Sequence, residues 1–385
     1  MLLLSAPNIS GNEWKYVKEC LDTGWVSSVG AYVTKFEEMM AEFVGTRYAV
    51  ACVNGTNALH IALQLSGVRQ YDHVLVPNIT FIASVNAIKY CGASPILVDV
   101  DKHTWQMDLD LLDNWLSKNT FLMKNRIGGR NTRASLYFKT TNRPITAIMP
   151  VHVLGNMCDM KKLKTICKKY NLIIVEDATE ALGSYYAGKH AGYFGKFGCF
   201  SFNGNKIITT GGGGMIVTNN KSLAQKAKHL TTQAKSDPFE YIHDEIGYNY
   251  RLVNVLAAIG VAQMEQLPKF LKRKHEIDSF YKKELSGVGD IQFQKVLSGV
   301  NPNHWLFTFK TEKQKELLDL LNKNQLQSRP FWVPMNRLKM FKKDYYINKN
   351  DISGKVYRSC LSIPCSTNIT DNEMQQVVNT IKSVY

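Results

Sequence analysis

Cys199-Phe200-Ser201-Phe202-Asn203-Gly204-Asn205-Lys206 runs through Ile207-Ile208-Thr209-Thr210 into Gly211-Gly212-Gly213-Gly214-Met215-Ile216-Val217. An apolar run enters a polar turn that holds one lysine. Four glycines follow, and then a second apolar run. Glycine permits backbone shapes and close approaches that side chains forbid. A lysine held between two strands beside such a turn can be placed on a cofactor. Unlike arginine, a desolvated lysine can lose its proton and form a Schiff base with a carbonyl.

On this reading Lys206 carries pyridoxal phosphate. Taken alone the lysine decides little, because the chain has 47 Lys and Arg residues and most such side chains are solvated. The glycine run lacks the spacing of a phosphate-binding P-loop and the GxGxxG of a dinucleotide site. Other segments have to supply the rest.

A chain of 385 residues can bury a large core and form two domains. Its 45% hydrophobic and 21% charged content is that of a globular protein. No apolar run approaches the ~20 residues that span a bilayer. Met1-Leu2-Leu3-Leu4 is too short for the apolar core of a secretory leader, so a cytoplasmic protein with no membrane association is expected. The eight cysteines are scattered without a CxxC pair, which disfavours zinc and thioredoxin-like sites and leaves no metal expected. The formal charge of +15 fits an anionic substrate, general surface basicity or nucleic acid. No nucleic-acid module accompanies it, so a nucleic-acid partner is not expected. Between Asp113 and Asp159 no acidic residue occurs, while Lys118, Lys124, Arg126, Arg130, Arg133, Lys139 and Arg143 all do. The stretch reads as a solvated insertion, with Gly128 to Arg143 as a mobile loop.

Helical periodicity covers Glu13–Leu21 and then Val33–Phe43, with Gly45 as the stop. From Tyr48 to Thr218 strands and helices alternate. Tyr48–Val53 turns at Asn54-Gly55-Thr56 into a helix, which leaves free N–H groups at a helix start and so a ready phosphate site. Leu172-Ile173-Ile174-Val175 is apolar throughout and ends in Glu176-Asp177, as expected of a parallel strand covered on both faces. The fold expected is α/β, with a mostly parallel sheet in a large domain, residues 1–248. A smaller α+β domain, residues 249–385, follows. Its helices are expected at 252–271, broken near Pro268, and at 274–285, and the last carries a Thr370–Glu373 capping box. Ligands of such sheets bind beyond the C-terminal strand ends, which present Thr56, His152, Asp177 and, near the glycine turn, Lys206. His152 reads as a satisfied structural histidine.

Five segments in this order resemble the DegT/DnrJ/EryC1/StrS family of nucleotide-sugar aminotransferases: Asn54-Gly55-Thr56, Pro77–Phe81, Glu176–Ala181, Ser201–Lys206 and Gly247–Arg251. The resemblance spans essentially the whole chain and implies the aspartate-aminotransferase-like, type I fold. It implies that Lys206 and Asp177 are catalytic: Lys206 holds pyridoxal phosphate and shuttles the proton, and Asp177 pairs with the pyridine nitrogen. Pyridoxamine phosphate is the implied intermediate form. Gly55, Thr56 and Ser201 would bind the phosphate, Phe81 would stack on the ring, and Glu180 would sit near its phenolic oxygen. Asn249 would reach the cofactor of a neighbouring subunit, which implies a homodimer with shared active sites.

Within the family the chain most resembles a LegC-like subgroup, through Pro7–Trp14, Gly24–Ser28, the basic insertion and Thr231–Lys235. That subgroup implies amination of C4 of a UDP-linked 4-keto-6-deoxy-N-acetylhexosamine with L-glutamate as donor, for a bacterial surface glycan. Trp25, Ser27, Ser28, Lys235 and Arg329 are then the candidate substrate contacts. Many members have Gly-Glu-Gly-Gly where this chain has Gly211–Gly214, which the subgroup shares. Others have histidine at the lysine position and dehydrate their substrate, so Lys206 implies transamination. The alternatives are a GDP-4-keto-6-deoxymannose 4-aminotransferase of the perosamine synthase type, and a catalytically silent protein that binds the cofactor or sugar.

Overall fold

The β-branched runs from residue 48 onward assemble into one ten-stranded mixed sheet. The computed structural model describes residues 1–124, 126–127, 130–131, 134–237 and 239–385. Across the sheet the strands run Tyr48–Cys52, Gly214–Thr218, Phe197–Ser201, Ile173–Asp177, Arg143–Ile148, His73–Pro77, Ser94–Val98 and Tyr345–Ile347. From Phe197–Ser201 outward every neighbour in this series is parallel, while Gly214–Thr218 is antiparallel to both of its neighbours. His73–Pro77 and Gly214–Thr218 are buried at every position, as strands covered on both faces must be.

The register brings the C-terminal strand ends to one edge. Cys52, Gly214 and Ser201 lie in one row across three strands, and Cys199 is level with Asp177. Helix Gly55–Leu65 packs on strands of this row, and helices Glu13–Asp22 and Ala31–Val44 pack on Asn254–Leu285. The expected helix signals operate: Gly45 closes Ala31–Val44 at φ 77°, Asp159 caps Met160–Tyr170, and Thr370 with Glu373 forms a capping box.

The structure differs from the sequence expectation in three places. Asn254–Leu285 is a single helix of 32 residues that runs through Pro268. An interior proline removes one backbone hydrogen bond and costs ~3 kcal/mol. Leu267 and Phe270 beside it are fully buried, and each contributes roughly 1.5–3 kcal/mol, enough to hold the helix together. Second, the packing does not change at residue 249. Leu252, Ala257, Val261, Leu267 and Phe270 belong to the core of the large sheet, together with Trp305, Phe331 and Ile347. A second core begins on the same helix at Ile277 and Tyr281, under a four-stranded antiparallel sheet that includes Phe307–Lys310 and Cys360–Ile363.

Third, part of the basic insertion is sheet rather than loop. Thr120–Met123 pairs antiparallel with Ser135–Phe138, which in turn pairs with Arg143–Ile148. Leu136 and Phe138 are buried, and the Phe138 ring meets Trp115, His73 and Tyr345. Positions 125, 128, 129, 132 and 133 of the insertion lie outside the described residues. The eight cysteines are free, and all but Cys91 are buried. Among the described residues no helix is long and apolar enough to cross a membrane.

Candidate active site

At the shared strand edge, Asn54 adopts extended backbone and its side chain accepts from the N–H of Asn57. The first N–H groups of helix Gly55–Leu65 have no partner inside the helix and carry the positive end of its dipole. Ser201 ends the neighbouring strand, and a Cβ on Gly55 would come within 2.9 Å of the Ser201 Cβ. A Cβ on Gly214 would come within 2.4 Å of the Asn54 carbonyl carbon. The glycine run therefore serves a close approach, in which the strand after the lysine packs on the phosphate-type turn. Gly211 in addition takes a φ of 78°, which glycine adopts without strain.

The lysine turn is held by its backbone. The N–H of Lys206 donates to the Asn203 carbonyl at 3.0 Å, and the N–H of Phe202 donates to that of Gly213 at 2.9 Å. The Lys206 amine enters a cavity of about 240 Å³. It lies 3.9 Å from a Glu180 carboxylate oxygen and 3.9 Å from the centre of the Trp305 ring. Trp305 donates its indole N–H to the Asn205 carbonyl at 2.7 Å and stacks near Trp332.

Alternation along Ile173–Asp177 sends its two terminal carboxylates to opposite faces. Glu176 turns away from the cavity, meets His152 Nε2 at 3.0 Å and accepts from the N–H groups of Gly192 and Gly195. Asp177 faces the cavity. It accepts from the Ser84 hydroxyl at 2.6 Å and from the Thr179 N–H at 3.2 Å. Ser84 also bonds Thr80 at 2.7 Å. Burial lowers the Lys206 amine from its ordinary range, against the opposing pull of Glu180 and Asp177. Burial likewise pushes the Glu180 carboxyl up to about 7, although Lys206 and the Leu154 N–H favour its charged form. Both side chains thus lean toward their neutral forms, and a neutral amine is the form that can attack or take up a proton.

Of the residues expected from sequence, Gly55, Thr56, Phe81, Asp177, Glu180, Ser201 and Lys206 line this cavity. Trp25 does not. It lines a separate groove beside Asn254, whose N–H and side chain bind the Ser27 and Trp25 carbonyls at 2.6 and 2.7 Å. Ser27 and Ser28 are held away with it. Lys235 lies over the Tyr241 ring at 3.9 Å, Arg329 is an exposed strand residue, and Asn249 is exposed in a bridge to Thr232. None of these six lines the cavity of the single chain. His152, with Glu176, is fully buried outside it.

Thr80, Ser84, Asn203, Asn205, Trp305 and Trp332 also line the cavity, beyond those expected. The segments Pro77–Phe81 and Ser201–Lys206 pointed at Thr80 and the two asparagines, and Trp332 lies three residues beyond the candidate Arg329. Ser84 and Trp305 had no local signal, since they arrive by helix phase and by tertiary packing.

The donor set fits pyridoxal phosphate. The helix N-terminus and Ser201 would hold the phosphate, Asp177 the ring nitrogen, Phe81 the ring face and Lys206 the aldehyde carbon. When bound, the group supplies an electron sink for a carbanion. Glu180 offers a test without it. Glu180 keeps in the fold a proton that the unfolded chain loses above its ordinary value of 4.5. The contribution of Glu180 to the stability of the apoprotein should therefore fall as pH rises from 4.5 to about 7, by roughly 3 kcal/mol, against the opposite contributions of His73 and His190, which burial lowers to about 4. Relative to the wild type, Glu180→Gln should therefore gain stability as pH rises in thermal unfolding followed between about pH 5 and about pH 7. Equal slopes for the two proteins would sink the assignment.

Residues 7–382 match the model of the DegT/DnrJ/EryC1/StrS aminotransferase family. The chain is 38% identical to the GDP-perosamine synthase of Escherichia coli O157:H7, over 98% of this chain and 97% of that protein. It is 30% identical to the UDP-4-amino-4,6-dideoxy-N-acetyl-beta-L-altrosamine transaminase of Campylobacter jejuni, over 92% and 90% of the two chains. Among solved structures it is similar to the sugar aminotransferase CalS13 from Micromonospora echinospora. The TM-score is 0.85 and the identity 25%, over the whole of both chains.

Proposed function

The chain belongs to the DegT/DnrJ/EryC1/StrS aminotransferase family and is a pyridoxal-phosphate-dependent sugar aminotransferase of fold type I; from that premise we propose that it aminates C4 of a nucleotide-linked 4-keto-6-deoxyhexose. Lys206 accepts the cofactor and moves the proton, and Asp177 holds the ring nitrogen. Gly55, Thr56 and Ser201 take the phosphate, Phe81 covers the ring, and Glu180, 3.9 Å from the Lys206 amine, sits near the ring's phenolic oxygen. L-Glutamate is the proposed amino donor. The observation that carries the reading is one cavity that holds a desolvated lysine, a carboxylate at a strand end and the N-terminus of helix Gly55–Leu65.

The nucleotide has two candidates. The GDP-linked 4-keto-6-deoxymannose reading is supported by the greater likeness to the GDP-perosamine synthase. The UDP-linked 4-keto-6-deoxy-N-acetylhexosamine reading is supported by the subgroup segments at 7–14, 24–28 and 231–235. Trp25, Ser27, Ser28, Lys235 and Arg329 remain the proposed sugar-nucleotide contacts. Trp25, Ser27, Ser28 and Asn249 would act on the cavity of a second copy in a homodimer. The test is to supply both keto sugars in parallel with L-glutamate and to detect the amino sugar by mass spectrometry. We expect the GDP sugar to be converted at least tenfold more efficiently, a difference of about 1.4 kcal/mol in transition-state binding. Preference for the UDP sugar selects the second reading, and conversion of neither rejects both.

A further inference from the structure

Lys274 is buried to 2% exposure on the long helix, and among the described residues no carboxylate pairs with it. Its amine donates to the carbonyls of Trp305 at 2.7 Å and Cys365 at 2.5 Å, and the Cys365 sulfur lies at 3.6 Å. One turn along the same helix, Asp278 meets His304 Nδ1 at 3.0 Å. Two side chains one turn apart therefore grip two consecutive residues. His304 sits at φ 52°, a left-handed conformation that a histidine keeps only where its surroundings hold it.

This gripped segment touches both sides of the active cavity. Asn303 donates to the carbonyls of Glu180 and Leu182, each at 2.8 Å, and accepts from the Trp305 N–H at 3.0 Å. Trp305 binds the Asn205 carbonyl through its indole and lies against the Lys206 amine. We propose that Lys274 is a positioning residue for the reaction at Lys206, acting through the Trp305 carbonyl to fix the indole against the lysine turn. The proposal rests on the Lys206 reading above. Burial lowers the Lys274 amine from its ordinary range. Charged or neutral, it keeps at least two N–H donors for two carbonyls. A hydrophobic residue there would fill the space, take the amine donor from the Cys365 carbonyl and leave the Trp305 carbonyl only the weak Cys365 thiol at 3.8 Å, which a buried backbone does not tolerate well.

The test combines Lys274→Met, Lys274→Gln, Trp305→Phe and the Lys274→Met/Trp305→Phe double variant. Hydrogen exchange of the Trp305 indole proton in the apoprotein, identified by its absence in Trp305→Phe, reads the clamp without any Lys206 chemistry. We expect exchange to quicken about tenfold in Lys274→Met and less in Lys274→Gln, whose shorter amide keeps donors. In the holoenzyme Lys274→Met should lower kcat about tenfold and leave KM for the sugar within about twofold. The double variant should be no slower than Trp305→Phe alone, because coupled residues do not add. Additive losses, or unchanged indole exchange, would overturn the proposal. If Lys274→Met does not fold, Lys274→Gln decides by the same exchange measurement, and a rate equal to that of the wild type overturns it. Failure of the Lys206 reading would appear separately, as an active Lys206→Ala enzyme.

Discussion

Lys206→Ala is expected to lose amine transfer by on the order of 10³-fold or more. The side chain combines a nucleophilic role with a proton-transfer role, and the second alone is typically worth 10²–10⁴-fold. No other amine among the described residues lines the cavity. The Lys206 side chain is only 14% exposed, so water does not readily replace it as the proton carrier. Folding should survive the change. Burial already disfavours both charges of the Lys206–Glu180 pair, so removing the amine forfeits little ion pairing. Two measurements check this. Product formation over a long incubation should fall to background. Borohydride reduction of the loaded wild type should add the cofactor's mass to the peptide that contains Lys206, and the variant should show no such peptide. Retention of a tenth of the wild-type rate would refute the assignment.

Asp177→Asn should cost between ~10² and ~10⁴ in kcat, or about 3–5 kcal/mol of transition-state stabilisation. The shape is unchanged, so the Thr179 N–H keeps an acceptor in the amide oxygen. The charge is not. A carboxylate facing the ring nitrogen favours the protonated ring, which can accept electron density from the reacting carbon, and a neutral amide does not. Ser84 sharpens the effect, because its hydroxyl donates to the Asp177 oxygen at 2.6 Å. In the variant the single amide oxygen that serves Thr179 leaves an NH₂ group facing the Ser84 hydroxyl. The melting temperature should shift by only a few degrees, and affinity for pyridoxal phosphate should weaken. A variant with kcat within threefold of the wild type would show that the carboxylate is not used in this way.

Much of the site was legible before any coordinates. A strand that is apolar until it ends in Glu176-Asp177 says where a buried carboxylate will sit. Asn54-Gly55-Thr56 between a strand and a helix says where an anion will be met. Lys206 beside four glycines says where an amine can be held. These are short-range statements, because strand alternation, helix capping and glycine conformation are set within a few residues. The lining of the cavity by Ser84 and Trp305 was not legible. Ser84 reaches Asp177 across 93 positions of chain, and Trp305 reaches Asn205 across 100. The substrate contacts expected at Trp25, Ser27, Ser28, Lys235 and Arg329 lie away from the cavity of the single chain. A local match cannot say to which cavity a loop is delivered.

The sequence by itself determined the class of fold, the family to which the chain belongs, and the lysine and carboxylate proposed as its reactive pair. Their residue types and order are properties of the chain alone. The tertiary structure decided the path of Asn254–Leu285 through Pro268, the strand pairing of the basic insertion at Ser135–Phe138, and the protonation balance of Lys206 with Glu180. Each depends on burial supplied by distant segments. Packing of Leu267 and Phe270 outweighs a missing hydrogen bond, aromatic neighbours draw Phe138 into the sheet, and desolvation by the assembled cavity moves two charges toward neutrality.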